Sequence, residues 1–354
     1  MTAAPHNGNS PRAAALFQGD AAVCGVGSLP FVSTAAALDF VARWCPEVPF
    51  WPQLRRVSPR EAMIPQTFGP HTRHLAPIKD ECAFALPAGR AGRFLSALDR
   101  AEARFDRANA AGFFAFVEAC TAGKFPAARA LKGQAMGPVT LSCSLLLDGQ
   151  PLVDREESSV IADYVVRLAR WQCEALLKLS PTVLLVFDEA YLGMALRQRP
   201  ERRAAVVDLL RSVVLRVRRP GVRVGLHCCD EIPLALLGDI APDLYSFDAF
   251  HGGETFASDP AAAAFVAGGG YVAWGWVPTL DDLSGLDPEN LTQRWAEASG
   301  RLAAAAGVEA DRLPARSLVT AACGLAGSSE ATCARSFEIA RAVSAAFARR
   351  MVTS

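Results

Sequence analysis

The sequence lacks an excess of charge of either sign. Lysine and arginine together number 36, and aspartate and glutamate together also number 36. Because a nucleic-acid-binding domain usually carries a basic surface, this balance predicts no nucleic-acid partner. Hydrophobic residues make up 51% of the 354 residues and charged residues only 20%. This composition excludes a wholly disordered chain and provides for a large core.

The sequence also lacks an export signal and an uninterrupted membrane segment. Its first twenty residues, MTAAPHNGNSPRAAALFQGD, have no apolar core of the secretory kind, so we expect a disordered tail over residues 1–20. The most span-like stretch, 261–278, is interrupted by three consecutive glycines, whereas a span needs about 20 apolar residues. We therefore expect a cytoplasmic protein without membrane contact, whose ten cysteines stay reduced.

No glycine fingerprint for a dinucleotide follows the first apolar run. Instead, short β-branched runs alternate with longer segments of helical periodicity, which is typical of a parallel sheet. Eight strands are predicted, at 21–28, 47–53, 131–140, 182–189, 222–229, 243–250, 271–276 and 316–323. The predicted fold is α/β, a single (β/α)8 TIM barrel over residues 21–354, with an open doubly wound sheet as the alternative. Residues from about 54 to 95 are rich in proline and glycine, and they predict an inserted excursion after the second strand, such as a hairpin over the barrel mouth.

Unusual polar, sulfur-bearing and aromatic side chains gather at the C-terminal ends of the predicted strands. In a (β/α)8 barrel these ends converge on the face that holds the active site, so residues nearly 300 positions apart are expected to share one pocket. The candidates for that pocket are Ser28, Gln53, Asp188, Glu189, His227, Cys229, Asp248, Trp276 and Cys323.

One strand end, VRVGLHCCDEIP at 222–233, predicts a metal site. Because strand side chains alternate between faces, His227 and Cys229 point the same way, about 6.5 Å apart at roughly 3.3 Å per residue, and Cys228 points away. An imidazole and a thiolate suit zinc, and Cys323 at the eighth strand end is the best third ligand. Cys333 competes, but it falls in a helical stretch. The plainer alternative is a core strand that ends in sulfur, since cysteine is often simply buried.

Five other cysteines are interpreted as small buried hydrophobic residues rather than ligands. They stand alone in the sequence, at Cys45, Cys82, Cys120, Cys143 and Cys173.

Several motifs, in their order, resemble the catalytic barrel of the cobalamin-independent methionine synthases. They are GVGSLP, MGPVT, FDEA, LHCC and AACGL, and the resemblance covers roughly residues 20–345. It implies membership of the superfamily that also holds uroporphyrinogen decarboxylases and zinc-dependent corrinoid:thiol methyltransferases. It further implies a zinc ion bound by His227, Cys229, Asp248 and Cys323 that receives the sulfur of homocysteine in methionine biosynthesis. Asp248 stands where the family has a glutamate.

The chain departs from that family at several positions. It has length for one barrel instead of two, Gln53 stands near the family's substrate-binding glutamate, and GWVP after the seventh strand replaces the family's Asp-x-His. Methyl-folate needs a proton on its leaving nitrogen, whereas a methyl-corrinoid does not. The predicted donor is therefore a methyl-corrinoid, which a partner corrinoid protein would carry, with methyl-folate as the alternative.

The predicted activity is zinc-dependent transfer of a methyl group to a small-molecule thiol, with a methionine-synthase-like reaction implied by the resemblance. Asp188 is expected to bind a substrate ammonium, as the matching residue does in the family, while Ser28, Gln53 and Glu189 are expected to help hold the substrate. Trp276 is a candidate for stacking on a flat donor, although a core tryptophan is an equal alternative. Two other function classes remain: a uroporphyrinogen-decarboxylase-like lyase, and a non-catalytic zinc-binding barrel.

Overall fold

The computed structural model describes residues 17–78, 83–198, 200–279 and 282–353. Most of the predicted tail and Cys82 therefore lie outside the described residues. Eleven strands occur within them: β1 (Ala22–Val23), β2 (Ala76–Pro77), β3 (Phe84–Leu86), β4 (Leu131–Met136), β5 (Leu145–Leu147), β6 (Gln150–Pro151), β7 (Val183–Asp188), β8 (Val222–Cys228), β9 (Leu244–Phe247), β10 (Tyr271–Val277) and β11 (Ser317–Ala321).

Helices separate most of these strands. The described α-helices are α1 (Thr34–Trp44), α2 (Met63–Phe68), α3 (Ala88–Arg100), α4 (Ala111–Thr121), α5 (Pro138–Ser144), α6 (Ser158–Leu177), α7 (Leu192–Gln198), α8 (Arg203–Val217), α9 (Leu236–Ile240), α10 (Ala249–Ser258), α11 (Pro260–Ala267), α12 (Pro288–Ala306) and α13 (Glu330–Thr353). Short 3-10 helices lie at Pro59–Glu61, Gly69–His74, Leu152–Asp154, Pro200–Arg202, Ala310–Arg312 and Pro314–Arg316. Within the described ranges, no helix is both long and apolar enough to cross a membrane.

A curled sheet of seven parallel strands forms the centre of this α/β fold, surrounded by helices. Its strand order is β1-β11-β10-β9-β8-β7-β4, so each strand from β7 onward lies beside the strand that follows it. The alternation of strands and helices thus produces the parallel sheet that the sequence predicts. The register places Asp188 opposite His227, and His227 opposite Ser246, so three polar residues lie side by side near one end of the sheet.

The predicted second strand, 47–53, differs from expectation. The segment makes only two parallel bridges, Phe50 to Lys132 of β4 and Gln53 to Ser28, so it connects β4 with the residues that follow β1. Its sequence EVPFWPQ contains two prolines. Because proline has no N–H to donate, a regular ladder cannot form along this segment.

The predicted third strand, 131–140, is shorter than expected for a similar reason. It ends at Met136, and α5 begins at Pro138, which occupies the first turn of the helix. Proline is favoured there because its fixed backbone angle suits a helix start and its missing N–H would have no helical partner. The strand therefore ends four residues before the predicted boundary at residue 140.

The excursion after residue 54 contains a short antiparallel pair. Strand β2 pairs with β3, and β3 continues through β5 to β6 in a small second sheet. The buried carboxylate of Glu61 fastens the start of this segment, because it accepts hydrogen bonds of 2.9 Å from the backbone N–H groups of Leu54 and Ala111. Burial raises the pKa of this carboxyl group.

Candidate metal centre

Three side chains from two strand ends meet at one point. One potential ligand atom from each of His227, Cys229 and Cys323 lies within 4.8 Å of the others. The first two residues come from the end of β8, and Cys323 follows β11, nearly a hundred residues further along the chain. This is the only such group of three or more His, Cys, Asp and Glu side chains in the described part of the chain.

The His227 imidazole is held in one orientation. Its Nδ1 lies 2.9 Å from the Ser246 hydroxyl oxygen, while its Nε2 is buried and has no hydrogen-bond partner. With Nδ1 donating to Ser246, Nε2 presents a lone pair, as in the metal-ligating histidines of many sites. One imidazole nitrogen and two cysteine sulfurs form a set of donor atoms that zinc prefers. The residues present therefore fit this metal.

The two thiols differ in their acidity. The neighbouring Cys323 thiol and the nearby His227 imidazole lower the pKa of Cys229 from 9.0 to about 4, whereas the same contact between the two thiols, together with burial, raises the pKa of Cys323. A thiolate is the form of cysteine that binds metal. Cys229 is therefore the thiol of the pair that loses its proton more readily.

Cys228 lies on the other face of the strand. It is 1% exposed, and its Sγ lies 3.4 Å from the Asp230 carbonyl oxygen, to which the thiol donates. Burial raises its pKa to about 12, so this thiol stays protonated and does not join the ligand group. Of the other cysteines, Cys333 is buried in α13, and the competing ligand position predicted for it is not part of the cluster.

The isolated cysteines are mostly covered, as expected for small hydrophobic residues. Cys45 and Cys173 are fully buried, while Cys120 and Cys143 are partly buried.

Asp188 lies next to the cluster at the end of β7. Its Oδ1 is buried and has no hydrogen-bond partner. Burial raises the pKa of this carboxyl group, and the nearby charges of His227 and Lys132 act in the opposite direction. The Lys132 amine is itself buried and donates to the Val26 carbonyl at 2.6 Å. Asp188 therefore offers a carboxylate oxygen that the described protein atoms leave unused.

Asp248 lies outside the group of three ligand atoms. It is the N-cap of α10, where its Oδ1 accepts a 3.2 Å hydrogen bond from the His251 backbone N–H. Its Oδ2 lies 2.7 Å from His251 Nδ1. Asp248 and His251 both line a cleft of about 370 Å³ that also contains Cys229 and Cys323. The pair thus faces the candidate metal centre without belonging to it.

Ser28 and Gln53 lie together beside the loop that carries Cys323. The two residues form a parallel bridge, and the Leu325 N–H donates to the Ser28 carbonyl at 3.0 Å. A Cβ on Gly324 would overlap the Ser28 hydroxyl, so glycine is required for this approach. The Gln53 amide is already engaged, because its Nε2 donates to Gln66 Oε1 at 2.8 Å.

Two predicted pocket residues make structural contacts instead of facing the cleft. The buried Glu189 carboxylate accepts hydrogen bonds from the Val139 and Thr140 N–H groups and from the Thr140 hydroxyl, so it fastens the start of α5. Trp276 is fully buried and stacks on Trp274 with ring centroids 6.0 Å apart.

The environment of Trp276 places its ring on the helix side of the sheet. A Cβ on Gly253 of α10 would lie 2.7 Å from the Trp276 ring, and the Arg294 guanidinium lies 5.3 Å from the ring centroid. The cleft of about 370 Å³ at the candidate metal centre is not lined by this side chain.

Two residues of this region escaped the sequence reasoning. Ser246 orients His227. The sequence contained a signal for this residue, because Ser246 and Asp248 are two positions apart in the sixth predicted strand and therefore lie on the same face of it. His251 is one of only five histidines and follows the strand-end Asp248 by three residues. That spacing places both on one face at a helix start.

Comparison with known proteins gives a distant likeness only. No model of a protein family matches the sequence, and no curated protein matches it. Among solved structures, the chain is similar to a B12-independent methionine synthase from Shewanella sp. W3-18-1 in complex with selenomethionine, with 12% identity, 68% of each chain covered and a TM-score of 0.48. At this level the likeness assigns no family, activity or ligand to the chain.

Proposed function

We propose that the protein is a zinc-dependent methyltransferase that transfers a methyl group to a small-molecule thiol. The cluster of His227, Cys229 and Cys323 carries this proposal, because its donor atoms suit zinc and it opens into a cleft of about 370 Å³. The proposed scaffold is a closed (β/α)8 barrel in which residues 47–53 take the place of the second strand and the excursion from about 54 to 95 is inserted after it.

The three residues would hold the metal and leave one position open for substrate. When bound, zinc would keep the substrate sulfur deprotonated, which makes it the nucleophile of a methyl transfer. Asp248 is proposed to remain an outer or weak contact, because its two carboxylate oxygens serve the start of α10 and His251. Holding thiol and donor in line would supply much of the rate, since well-oriented reactants gain about 7–11 kcal/mol.

Asp188 is proposed to receive an ammonium group of the thiol substrate. Its Oδ1 is buried without a partner and lies at the strand end next to His227. An unpaired buried carboxylate is costly, so a cation that completes its contacts gains more than it would at an exposed site. Ser28 is proposed to contact the same substrate from the side of the Cys323 loop.

Two observations weigh against the other function classes. A lyase of the uroporphyrinogen decarboxylase kind acts on a substrate with several carboxylates, and it would need basic groups in its pocket. The cleft at the candidate metal centre contains Cys229, Cys323 and Asp248 instead. A purely structural zinc site would have four protein ligands, whereas three ligands cluster here among the described residues.

The proposed donor is a methyl-corrinoid, because the seventh strand end carries Trp276 and Val277 in place of an acid. A reduced cobalt species leaves without a proton. One observation favours methyl-folate as the second candidate: His251 lines the cleft and could protonate a leaving nitrogen, which is the role of a general acid.

The test is single-turnover transfer from labelled methylcobalamin and from methyltetrahydrofolate, at equal concentration, to a panel of thiols that includes homocysteine. The purified protein should contain about one zinc per chain and transfer the label faster from methylcobalamin. Faster transfer from methyltetrahydrofolate would reverse the choice of donor. A protein without bound zinc and without transfer from either donor would contradict the methyltransferase proposal itself.

A further inference from the structure

Three arginines meet on the surface of the excursion after residue 54. Arg73 belongs to a 3-10 helix of the excursion, whereas Arg90 and Arg93 lie three residues apart on α3 and therefore share one face of that helix. The 3-10 helix packs against α3, with the rings of His74 and Phe94 6.4 Å apart. The three arginines and His74 form what we term the arginine cluster.

The three guanidinium groups of the cluster act on one imidazole. The Arg73 Nε donates to His74 Nε2 at 3.3 Å. Desolvation, and then the charges of the three arginines, lower the pKa of this imidazole. Because a ring nitrogen that accepts a hydrogen bond carries no proton, His74 adds no charge here, and its Nδ1–H is a further donor.

No acidic side chain neutralises the arginine cluster among the described residues. None of its arginines lies within ion-pair distance of a carboxylate there. By contrast, Arg104 and Arg107, which follow α3, pair with Glu102 and Glu118. Like charges that lie close together without a counterion are unfavourable, so an anion that binds at the cluster would remove this cost.

The start of α3 adds to the same positive field. Its N-cap is Pro87, which offers no side chain to the backbone N–H groups, and its first turn holds no acidic residue. The positive end of a helix dipole attracts anions and disfavours cations, yet Arg90 and Arg93 lie in the first two turns. A Cβ on Gly89 or on Gly92 would meet nothing within 4 Å, so the surface beside the arginines is open.

The donors of the cluster suit phosphate. A guanidinium group presents five N–H donors in a planar fork that matches the oxygens of a phosphate. Among the hydrogen bonds of the described residues, Arg73 and Arg93 each use one such N–H and Arg90 uses none. Two adjacent phosphate groups carry about as many negative charges as the three arginines carry positive ones, and they have oxygens enough for all three forks.

We propose that the arginine cluster is a binding site for a small molecule with two adjacent phosphate groups, such as a diphosphate ester. The phosphate oxygens accept hydrogen bonds from the three arginines and from the His74 Nδ1–H, and they fasten the 3-10 helix to α3. The site is separate from the proposed methyl transfer, because none of its four residues lines the cleft at the candidate metal centre.

The experiment is a calorimetric titration of the full chain with pyrophosphate. It is carried out at about 0.15 M salt, where exposed charges more than roughly 8 Å apart are largely screened. Pyrophosphate should bind in an equimolar ratio. Orthophosphate should bind more weakly because it makes fewer contacts, and citrate should bind more weakly because its charges lie on carboxylates that are further apart.

Variants of α3 test where pyrophosphate binds. Arg93→Gln should raise its dissociation constant by about five- to tenfold, between the effects of an exposed ion pair and of a charged hydrogen bond. Arg93→Lys keeps the charge and loses the planar fork, so its loss should be smaller. The matched control is Arg100→Gln, which removes the same charge at the exposed last residue of α3, about 10 Å along the helix axis from Arg93. It should leave the dissociation constant unchanged.

Pyrophosphate also binds metal ions, so the titration is repeated with Cys229→Ser, which removes a candidate zinc ligand. An unchanged dissociation constant in that variant supports a separate site, whereas lost binding would place the anion at the metal centre and overturn the proposal. Equal effects of Arg93→Gln and Arg100→Gln, or no binding to the wild type, would also overturn it. Tighter binding of citrate than of pyrophosphate would refute the choice of phosphate as the ligand chemistry.

Discussion

The hydrogen bond between His227 and Ser246 gives the sharpest test of the candidate metal centre. Ser246→Ala removes the group that lies 2.9 Å from Nδ1 of the imidazole. Both residues are buried, at 4% and 5% exposure, so water cannot readily replace the lost contact. The imidazole would then be free to rotate or to adopt the tautomer that protonates Nε2, and either change removes the lone pair from the metal.

The expected loss of zinc affinity is about 10- to 100-fold, the usual effect of removing such a supporting contact. This corresponds to about 1.4–2.8 kcal/mol. Zinc affinity is measured by competition with a chromophoric chelator, and thermal denaturation of the metal-free proteins checks that the fold survives.

Thr320→Val is the matched control. Thr320 lines the same interior space as His227 and Ser246, but its buried hydroxyl has no hydrogen-bond partner. Its replacement should leave zinc affinity unchanged. Equal affinities of the wild type and Ser246→Ala, or equal losses in the two variants, would refute the assignment of Nε2 as the metal-binding atom.

Three further predictions concern neighbouring residues. Cys229→Ser should abolish stoichiometric zinc binding, measured by metal analysis, whereas Cys228→Ser should retain it; equal losses would contradict the assignment of opposite faces. Gly324→Ala should lower the free energy of unfolding by about 1–3 kcal/mol through overpacking, and it should weaken zinc binding. Gly327→Ala, in the same loop, is the control, because a Cβ there meets nothing within 4 Å. In urea denaturation its free energy of unfolding should stay within about 0.5 kcal/mol of the wild type. Burial raises the pKa of Glu189 to about 7 from the usual 4.5, so the folded protein holds this proton more tightly than the unfolded chain. The free energy of unfolding of the metal-free protein should therefore fall as the pH rises from 4.5 to 7. The fall should be at most roughly 3 kcal/mol, since one unit of pKa difference corresponds to about 1.4 kcal/mol. Glu189→Gln should flatten this part of the pH profile, and an unchanged slope would show that another group is responsible.

The sequence predicts the sheet well where each strand has an uninterrupted β-branched run. Residues 182–189 and 222–229 become β7 and β8 within one or two residues, because buried parallel strands are nearly continuous apolar runs. The same alternation predicts that His227 and Cys229 lie together, since the two-residue period of a strand is local. Cys323 lies close to His227 and Cys229 only because of the order of strands that are distant in sequence. In the sequence, only the repeated strand–helix pattern indicated this order.

Other features depend on tertiary contacts that no local pattern contains. Trp276 lies one residue before the end of β10, but the small Gly253 on α10 leaves space for its ring on the helix side. Glu189 follows Asp188 directly and therefore points to the other side of the sheet, where α5 begins and supplies donors for its carboxylate. The Asp248–His251 pair arises because a helix starts at once after β9, and helix starts are among the least predictable boundaries.

The proline-containing segment 47–53 affects where the fold opens locally. Only a few backbone hydrogen bonds connect it to the outer strands, and one of these, from the Trp51 N–H to the Lys132 carbonyl, is long at 3.4 Å. Side chains supplement them: the Trp51 indole donates to Gln172, and the Gln134 amide donates to the Trp51 carbonyl.

Amide hydrogens along this segment should therefore exchange with solvent through local opening, at a free-energy cost below that of global unfolding. Those of β8 should exchange only when the whole sheet unfolds. Local opening would begin at segment 47–53, away from strands β8 and β9. The surroundings of His227 would therefore keep their geometry while this segment moves.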